Sequence, residues 1–162
     1  MKTYIQFILR IYMTAIINIF LIFFSLIFIL NLLTELEFFK EIQVNSFYPL
    51  YLSLINTPMF VFEMFPFIFL ISTQVFFNNL FNNNEMNILK YSGLKNSKIF
   101  SILSITTFLL GIFIIFIFYN FSSNLKYFYL GLKSSYTTDN QYLAVITKNG
   151  LWIKDTNDNK TL

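Results

Sequence analysis

The sequence contains no cysteine and no histidine. Disulfides, cysteine or histidine zinc sites, thiol nucleophiles and imidazole general bases are therefore excluded. Glycine is also scarce, and its four occurrences are too far apart for a phosphate-binding P-loop or a G-x-G-x-x-G dinucleotide fingerprint. We therefore expect no bound cofactor, no metal site and no enzymatic activity in this chain.

Charged residues are few and apolar residues many. Only 12% of the 162 residues are charged, 56% are hydrophobic, and 23 are phenylalanine. A single globular core does not need this much apolar surface, so the composition predicts an α-helical polytopic membrane protein. The formal net charge is +3, but the lysines occur singly rather than in a patch, which argues against nucleic-acid binding.

Three apolar segments predict transmembrane helices at about residues 11–33, 57–77 and 99–120. As a helix, the first would extend roughly 35 Å, enough to cross a hydrocarbon layer of about 30 Å. It exceeds the apolar core of a signal peptide and no small-residue cleavage motif follows it, so we interpret it as an uncleaved anchor.

Orientation follows from the positive-inside rule. Basic residues precede the first span and occur between the second and third, whereas the loop between the first and second is mainly acidic. This places the N-terminus and residues 78–98 in the cytoplasm, and residues 34–49 and the chain after about residue 121 in the periplasm. Two basic residues near the outer end of the third span, Lys126 and Lys133, weigh against this orientation.

The character of the chain changes after the third span. A β-prone run at 142–147, a Lys-Asn-Gly turn and an alternating run at 151–154 predict short strands. We therefore divide the chain into a transmembrane region, 1–121, and a β-segment, 122–162, in which Trp152 is a core residue. Two short strands bury too little surface to be stable alone, so they require further strands or a partner.

Three motifs occur together in a fixed order. The second span carries Pro58 and Pro66, the following loop reads Glu-Met-Asn-Ile-Leu-Lys-Tyr-Ser-Gly at 85–93, and the β-segment contains Gly-Leu-Trp-Ile-Lys-Asp at 150–155. With these motifs the chain resembles the LptF/LptG family of lipopolysaccharide-export permeases, also called YjgP/YjgQ, and the last motif is closer to LptG. The resemblance implies six spans with a periplasmic β-jellyroll between the third and fourth. The chain would then be an N-terminal half: three transmembrane helices and the first strands of an incomplete jellyroll.

The resemblance also implies a function. Such a chain would be the bacterial inner-membrane permease subunit of an ATP-binding-cassette transporter, which extracts lipopolysaccharide and passes it to a periplasmic bridge toward the outer membrane. Its implied partners are an LptF-like permease, a dimer of the cytoplasmic ATPase LptB and an LptC/LptA-like bridge. ATP hydrolysis would take place on the separate ATPase.

The 85–93 motif predicts a short helix. Asn83 or Asn84 can cap it, Glu85 suits its N-terminal end, and Gly93 suits a left-handed C-terminal position. Met86, Leu89 and Gly93 then share one apolar face. The resemblance implies that this helix couples the permease to its ATPase by lying in a groove of that subunit; the alternative is an interfacial turn resting on the membrane.

Five residues are candidates for a lipid path or gate: Asn31, Glu35, Pro58, Glu63 and Pro66. Glu63 is the one ionisable residue inside a predicted span, which makes a functional role the default hypothesis, with a carboxylate at headgroup level as the alternative. The prolines can kink the second span or mark its first turn. Glu35 belongs to an acidic loop that could pair with cations or lipid phosphates, but a solvated surface is the favoured explanation.

LptG proteins often carry a basic residue near the outer end of the first span, where this chain has Asn31. The resemblance is incomplete there. A rival interpretation of the whole chain is a small three-span inner-membrane scaffold whose β-tail binds a partner. An ion channel or small-solute transporter is less well supported, because Glu63 alone supplies intramembrane charge.

Overall fold

The fold was obtained as a computed structural model, which describes residues 3–40, 42, 44, 45, 47–82, 84–91 and 93–136, and the backbone of two short strands. The described helices are α1 (Thr3–Phe38), α2 (Phe47–Glu63), α3 (Phe65–Asn82), α4 (Glu85–Tyr91), α5 (Asn96–Phe113) and α6 (Tyr119–Ser134), with a π-helical segment, Ile114–Phe118, between the last two. The strands β1 (Val145–Thr147) and β2 (Gly150–Trp152) form an antiparallel pair in which Ile146 lies opposite Leu151.

Helix α1 is longer than the predicted first span. Its 36 residues contain neither glycine nor proline, so nothing in the sequence interrupts the backbone hydrogen bonds. A helix of this length extends about 54 Å, which exceeds the roughly 30 Å hydrocarbon layer. The predicted bounds, 11–33, are therefore the lipid-crossing part of a longer element.

The predicted second span is two helices rather than one. Helices α2 and α3 meet at Met64 with a bend of 68°. Pro66 lies in the first turn of α3, where its missing N–H and its ring prevent the helix from continuing out of α2. Pro58 lies inside α2 without ending it. The pair extends beyond the predicted 57–77 at both ends.

The predicted third span, 99–120, also continues further. Helix α5, the π-helical segment and α6 form one apolar unit, Asn96–Ser134, of 39 residues. Residues 122–134, assigned above to the β-segment, are therefore helical. By length and composition two described helical units can cross a membrane, and the bent pair makes a third if it is one span. These two or three spans fit a polytopic helical membrane protein.

Of the predicted jellyroll, the structure describes only the backbone of the β1–β2 pair. The predicted core role of the Trp152 side chain lies outside the described part of the chain, as do the remaining residues after 136.

Three apolar clusters lie along α1 and give the molecule two distinct ends. Near its N-terminus, Ile8 and Tyr12 pack with the end of α3, with α4 and with the start of α5. Near its middle, Ile19 and Ile27 pack around the α2–α3 bend. Phe39, just after α1, packs with α2 and α6. We call the two extremes the α4 end and the α6 end.

A partly buried cluster of hydroxyl groups joins α1 to two other helices. The Tyr12 hydroxyl shares hydrogen bonds with Thr73 Oγ1 of α3 at 3.3 Å and with Thr107 Oγ1 of α5 at 2.7 Å, and Tyr12 is fully buried. Because polar groups in a bilayer need partners inside the protein, these bonds specify how the three helices align.

Candidate functional site

A buried ion pair joins α1 to α6 at the α6 end. Glu35 is 2% exposed, and the Lys133 ammonium donates to its two carboxylate oxygens at 2.8 and 3.1 Å. The Tyr129 hydroxyl donates to Glu35 Oε1 at 2.6 Å, and the same ammonium donates to that hydroxyl at 2.8 Å. The carboxylate is therefore charge-compensated and hydrogen-bonded, as a buried acid requires.

A row of hydrogen-bonded side chains lies beside this ion pair and connects α1 and α6 to α2. Asn31 donates to Thr57 Oγ1 at 3.3 Å, and Asn56 donates to Asn31 Oδ1 at 3.5 Å. Lys126 of α6 donates to Asn56 Oδ1 at 2.7 Å. These two hydrogen-bonded groups together contain seven residues, which we call the polar cluster: Asn31, Glu35, Asn56, Thr57, Lys126, Tyr129 and Lys133.

Helical spacing explains how the polar cluster assembles. Asn31 and Glu35 are four residues apart on α1, which places them on one face. Lys126, Tyr129 and Lys133 follow the i, i+3, i+7 pattern of one face of α6. Two predicted candidates, Asn31 and Glu35, are thus brought together by the fold.

Sequence reasoning missed the α6 members of the cluster because the third span was expected to end near residue 120. Had that helix been continued, the spacing of Lys126, Tyr129 and Lys133 would have revealed a polar face. The Lys126 side chain is half-buried and its ammonium lies over the rings of Phe60 and Tyr129, at 5.1 and 4.8 Å from the centroids. Within the described residues no carboxylate lies within ion-pair distance of it. The polar cluster as a whole therefore carries one excess positive charge.

The other predicted gate residues lie elsewhere. Pro58 is buried in α2 next to Thr57. Glu63 and Pro66 are exposed at the bend, where the flanking Val61 and Phe65 pack against the middle of α1. Glu63 therefore lies about halfway along α1. In the described part of the chain, its carboxylate has no hydrogen bond or ion pair.

Helix α4 begins at Glu85; of its two predicted caps, Asn83 lies outside the described residues and Asn84 contacts the helix through its backbone. Asn84 has a positive φ of 55°, and its carbonyl accepts the amides of Asn87 and Ile88 at 3.1 and 3.3 Å. At the other end Gly93 has a φ of 80°, its amide donates to the Lys90 carbonyl at 2.9 Å, and Leu94 donates to Leu89 at 3.1 Å. These two bonds form a Schellman motif, so the left-handed conformation predicted for Gly93 is confirmed.

The two faces of α4 differ from the expectation for a docking helix. Met86 and Leu89, predicted as its apolar face, are buried in the chain's own core with Ile8, Tyr12 and Leu94. Ile88 and Tyr91, in contrast, are 62% and 91% exposed. Glu85 is partly buried, and its Oε2 has no hydrogen-bond partner among the described residues. Met86 and Leu89 thus attach α4 to α1, α3 and α5.

Two membrane-length helical units, a bent helix pair and a polar cluster between helices define a polytopic membrane protein. The family model described as "Lipopolysaccharide export system permease LptF/LptG" matches residues 6–162, so the chain belongs to this family. The resemblance inferred from the sequence is thereby confirmed. No curated protein and no solved structure shows significant similarity to the chain. Membership identifies a multi-pass permease of the inner-membrane lipopolysaccharide export system, which is a transport subunit rather than an enzyme.

Proposed function

We propose that the chain acts as an LptG-like permease subunit that extracts lipopolysaccharide from the inner membrane and passes it to a periplasmic bridge, driven by ATP. It acts with an LptF-like permease, a cytoplasmic LptB-like ATPase dimer and an LptC/LptA-like bridge. The observation that carries this proposal is the family match over residues 6–162. The β1–β2 pair is then the start of a periplasmic β-jellyroll, with Trp152 in its core.

We place the α4 end in the cytoplasm and the α6 end in the periplasm. The described cations at the α4 end outnumber the single carboxylate there: Arg10, Lys90, Lys95 and Lys98 against Glu85. At the α6 end, Lys133 is neutralised by its ion pair with Glu35. This pairing compensates one of the two basic residues that weigh against the orientation; Lys126 remains, so the α6 end keeps the smaller excess of cations, which supports the orientation.

Helix α4 is the coupling element in this proposal. Ile88 and Tyr91 face outward at i and i+3, which suits insertion into a groove of the ATPase. Met86 and Leu89 pack into the core formed with α1, α3 and α5. A displacement of α4 by the ATPase is thereby passed to the spans.

The resemblance leads us to expect a cation on α1, and in this proposal Lys126 of α6 supplies it instead. Its ammonium hydrogen-bonds Asn56, which in turn contacts Asn31, the position where LptG proteins often have a basic residue. We assign the polar cluster and the bend with Pro58, Glu63 and Pro66 to the lipid path and its gate. A cation at this end can attract the phosphates of lipopolysaccharide.

The test reconstitutes the complete gene product with its ATPase and partner permease in liposomes containing lipopolysaccharide, and measures ATP-dependent transfer to the bridge protein. Ile88→Asp should abolish ATPase binding and transfer, because it places a charge on the outward face of α4. Asn96→Asp, which adds the same charge at an exposed position of the same end, should retain both.

Transfer that persists without the chain would refute the permease assignment and favour the scaffold interpretation. If Ile88→Asp binds the ATPase as well as the Asn96→Asp control does, the coupling role of α4 is refuted. The permease assignment is then judged separately, by the transfer measurement.

A further inference from the structure

A groove lies between α1 and α3 at the α4 end, opposite the polar cluster. It has a volume of about 340 Å³. Its apolar lining includes Phe7, Ile11 and Val75. Three of its polar lining residues carry an amide or guanidinium group: Arg10, Asn18 and Asn79. This volume lies within the range of roughly 300–1,000 Å³ typical of small-molecule sites.

The groove follows α1 from the membrane surface inward. Phe7, Ile11 and Asn18 recur at helical spacing along one side of α1. Arg10 is the last charged residue before the uncharged 11–33 run, which places its guanidinium at the level of the lipid headgroups. Asn18 lies about 12 Å deeper, at 1.5 Å per residue.

Antiparallel packing brings Asn79 to the Arg10 level. Its neighbours on α3, Phe76 and Leu80, belong to the same apolar cluster as Ile8 and Tyr12. Asn79 therefore faces the headgroup layer, and Val75, one turn earlier on α3, faces the acyl-chain layer. The groove is polar at its surface end and mainly apolar below it.

The polar groups of the groove are unoccupied by the chain itself. Within the described residues, the side chains of Arg10, Asn18 and Asn79 have no hydrogen bond or ion pair. The Thr14 hydroxyl, also in the groove, donates to the Arg10 carbonyl at 2.9 Å. Inside the hydrocarbon layer a donor such as the Asn18 amide is costly unless a ligand or another molecule accepts from it.

We infer that this groove binds a phospholipid of the leaflet at the α4 end. Arg10 and Asn79 donate to its phosphate, and Ile11 and Val75 contact one acyl chain. Charge complementarity selects this occupant, because a phosphate is the anion present at headgroup depth and no carboxylate of the described chain pairs with Arg10. The site lies at the opposite end from the proposed lipopolysaccharide contacts and does not depend on them.

The experiment uses the complete permease complex in nanodiscs that contain phosphatidylglycerol with a photoactivatable acyl chain. Crosslinks should map to peptides that contain residues 7–18 and 75–79. Arg10→Gln should lower crosslinking about tenfold, the loss expected for one charge-assisted hydrogen bond. Arg10→Lys should retain most of it, and Lys95→Gln, an exposed cation at the same end outside the groove, should have no effect.

Two further arms separate phosphate recognition from simple apolar contact. Photoactivatable diacylglycerol, which lacks the phosphate, should crosslink no more than the Arg10→Gln variant does with phosphatidylglycerol. Val75→Phe should also reduce crosslinking of phosphatidylglycerol by filling the acyl part of the groove while Arg10 remains.

Equal crosslinking of the two lipids, or equal losses in Arg10→Gln and Lys95→Gln, would overturn the inference. Crosslinks that appear on a partner subunit instead of α1 and α3 would show that a protein helix covers the groove, and would also overturn it. Transfer of lipopolysaccharide, measured in the same preparation, reports on the proposed function separately.

Discussion

At the scale of single residues, Glu35 is the one charged residue of the described chain that is buried. It is buried, and its compensation comes entirely from α6, where Lys133 is only 20% exposed along its side chain. Burying two charges is expensive even when they are paired, so such a pair contributes more to how helices align than to net stability. Losing one partner is a different matter, because the remaining charge is left buried.

We predict that Glu35→Gln destabilises the protein by about 3 kcal/mol, at the lower end of the range for a broken buried pair because Lys133 is partly exposed. Thermal unfolding in detergent measures the effect. Glu37→Gln, which removes an exposed carboxylate two residues away, should change stability little.

A double variant distinguishes pairing from other causes. Glu35→Gln combined with Lys133→Met should be less destabilised than the sum of the single variants, because no unpaired charge remains. Strict additivity would show that Glu35 and Lys133 do not stabilise each other.

At the scale of elements, the sequence predicted which segments are helical better than where they end. The uncharged 11–33 run located α1, and the Asn and Gly residues around 84–93 located α4 with its left-handed Gly93. Hydropathy reports the part of a helix that lies in lipid, so it could not show that α1 continues to Phe38 or α6 to Ser134. The two extensions contact each other through the ion pair between Glu35 and Lys133, a tertiary contact that hydropathy does not reveal.

The buried face of α4 illustrates a second limit. Its sequence shows an apolar side at Met86 and Leu89, but not whether that side contacts a partner or the chain's own helices. Packing with Ile8 and Ile99 decides the question. The outward pair Ile88 and Tyr91 could be recognised only once that packing was known.

The bend between α2 and α3 leads to a prediction for the whole element. Pro66→Ala restores an amide that can bond the Phe62 carbonyl, so we expect the two helices to straighten. From helix lengths and the 68° bend, the distance between residues 47 and 82 is about 43 Å, and a straight helix would give about 52 Å.

Spin labels at Phe47→Cys and Asn82→Cys measure this distance without interference, since the chain has no native cysteine. Pro58→Ala is the matched control and should leave the distance unchanged, because Pro58 lies inside α2 away from the bend. An unchanged distance in Pro66→Ala would show that packing of Phe65 on α1 holds the bend instead.

At the scale of the whole molecule, little of the apolar surface is covered by the chain itself. In α1, only 11% of the most apolar 18-residue stretch is buried, and the share is the same in the 96–134 unit. Large side chains such as Phe108 and Phe116 face outward. Lipid and partner helices therefore supply much of the environment that a soluble protein finds in its core. Within the chain, three apolar clusters pack the helices together, and the polar contacts of Tyr12 at one end and Glu35 at the other add to them.

Because those two ends differ in charge, they should also differ in the side of the membrane they face. The α4 end has three more described cations than carboxylates, whereas the polar cluster at the α6 end has an excess of one, because Glu35 compensates Lys133 but not Lys126. We predict that Ser135→Cys reacts with a membrane-impermeant maleimide in intact spheroplasts, and that Asn96→Cys reacts only after permeabilisation. Both positions are exposed and the chain has no native cysteine, so each variant serves as the control for the other. The reverse pattern would move α4 to the periplasm, where a cytoplasmic ATPase could not reach it, and would refute the coupling role proposed for that helix.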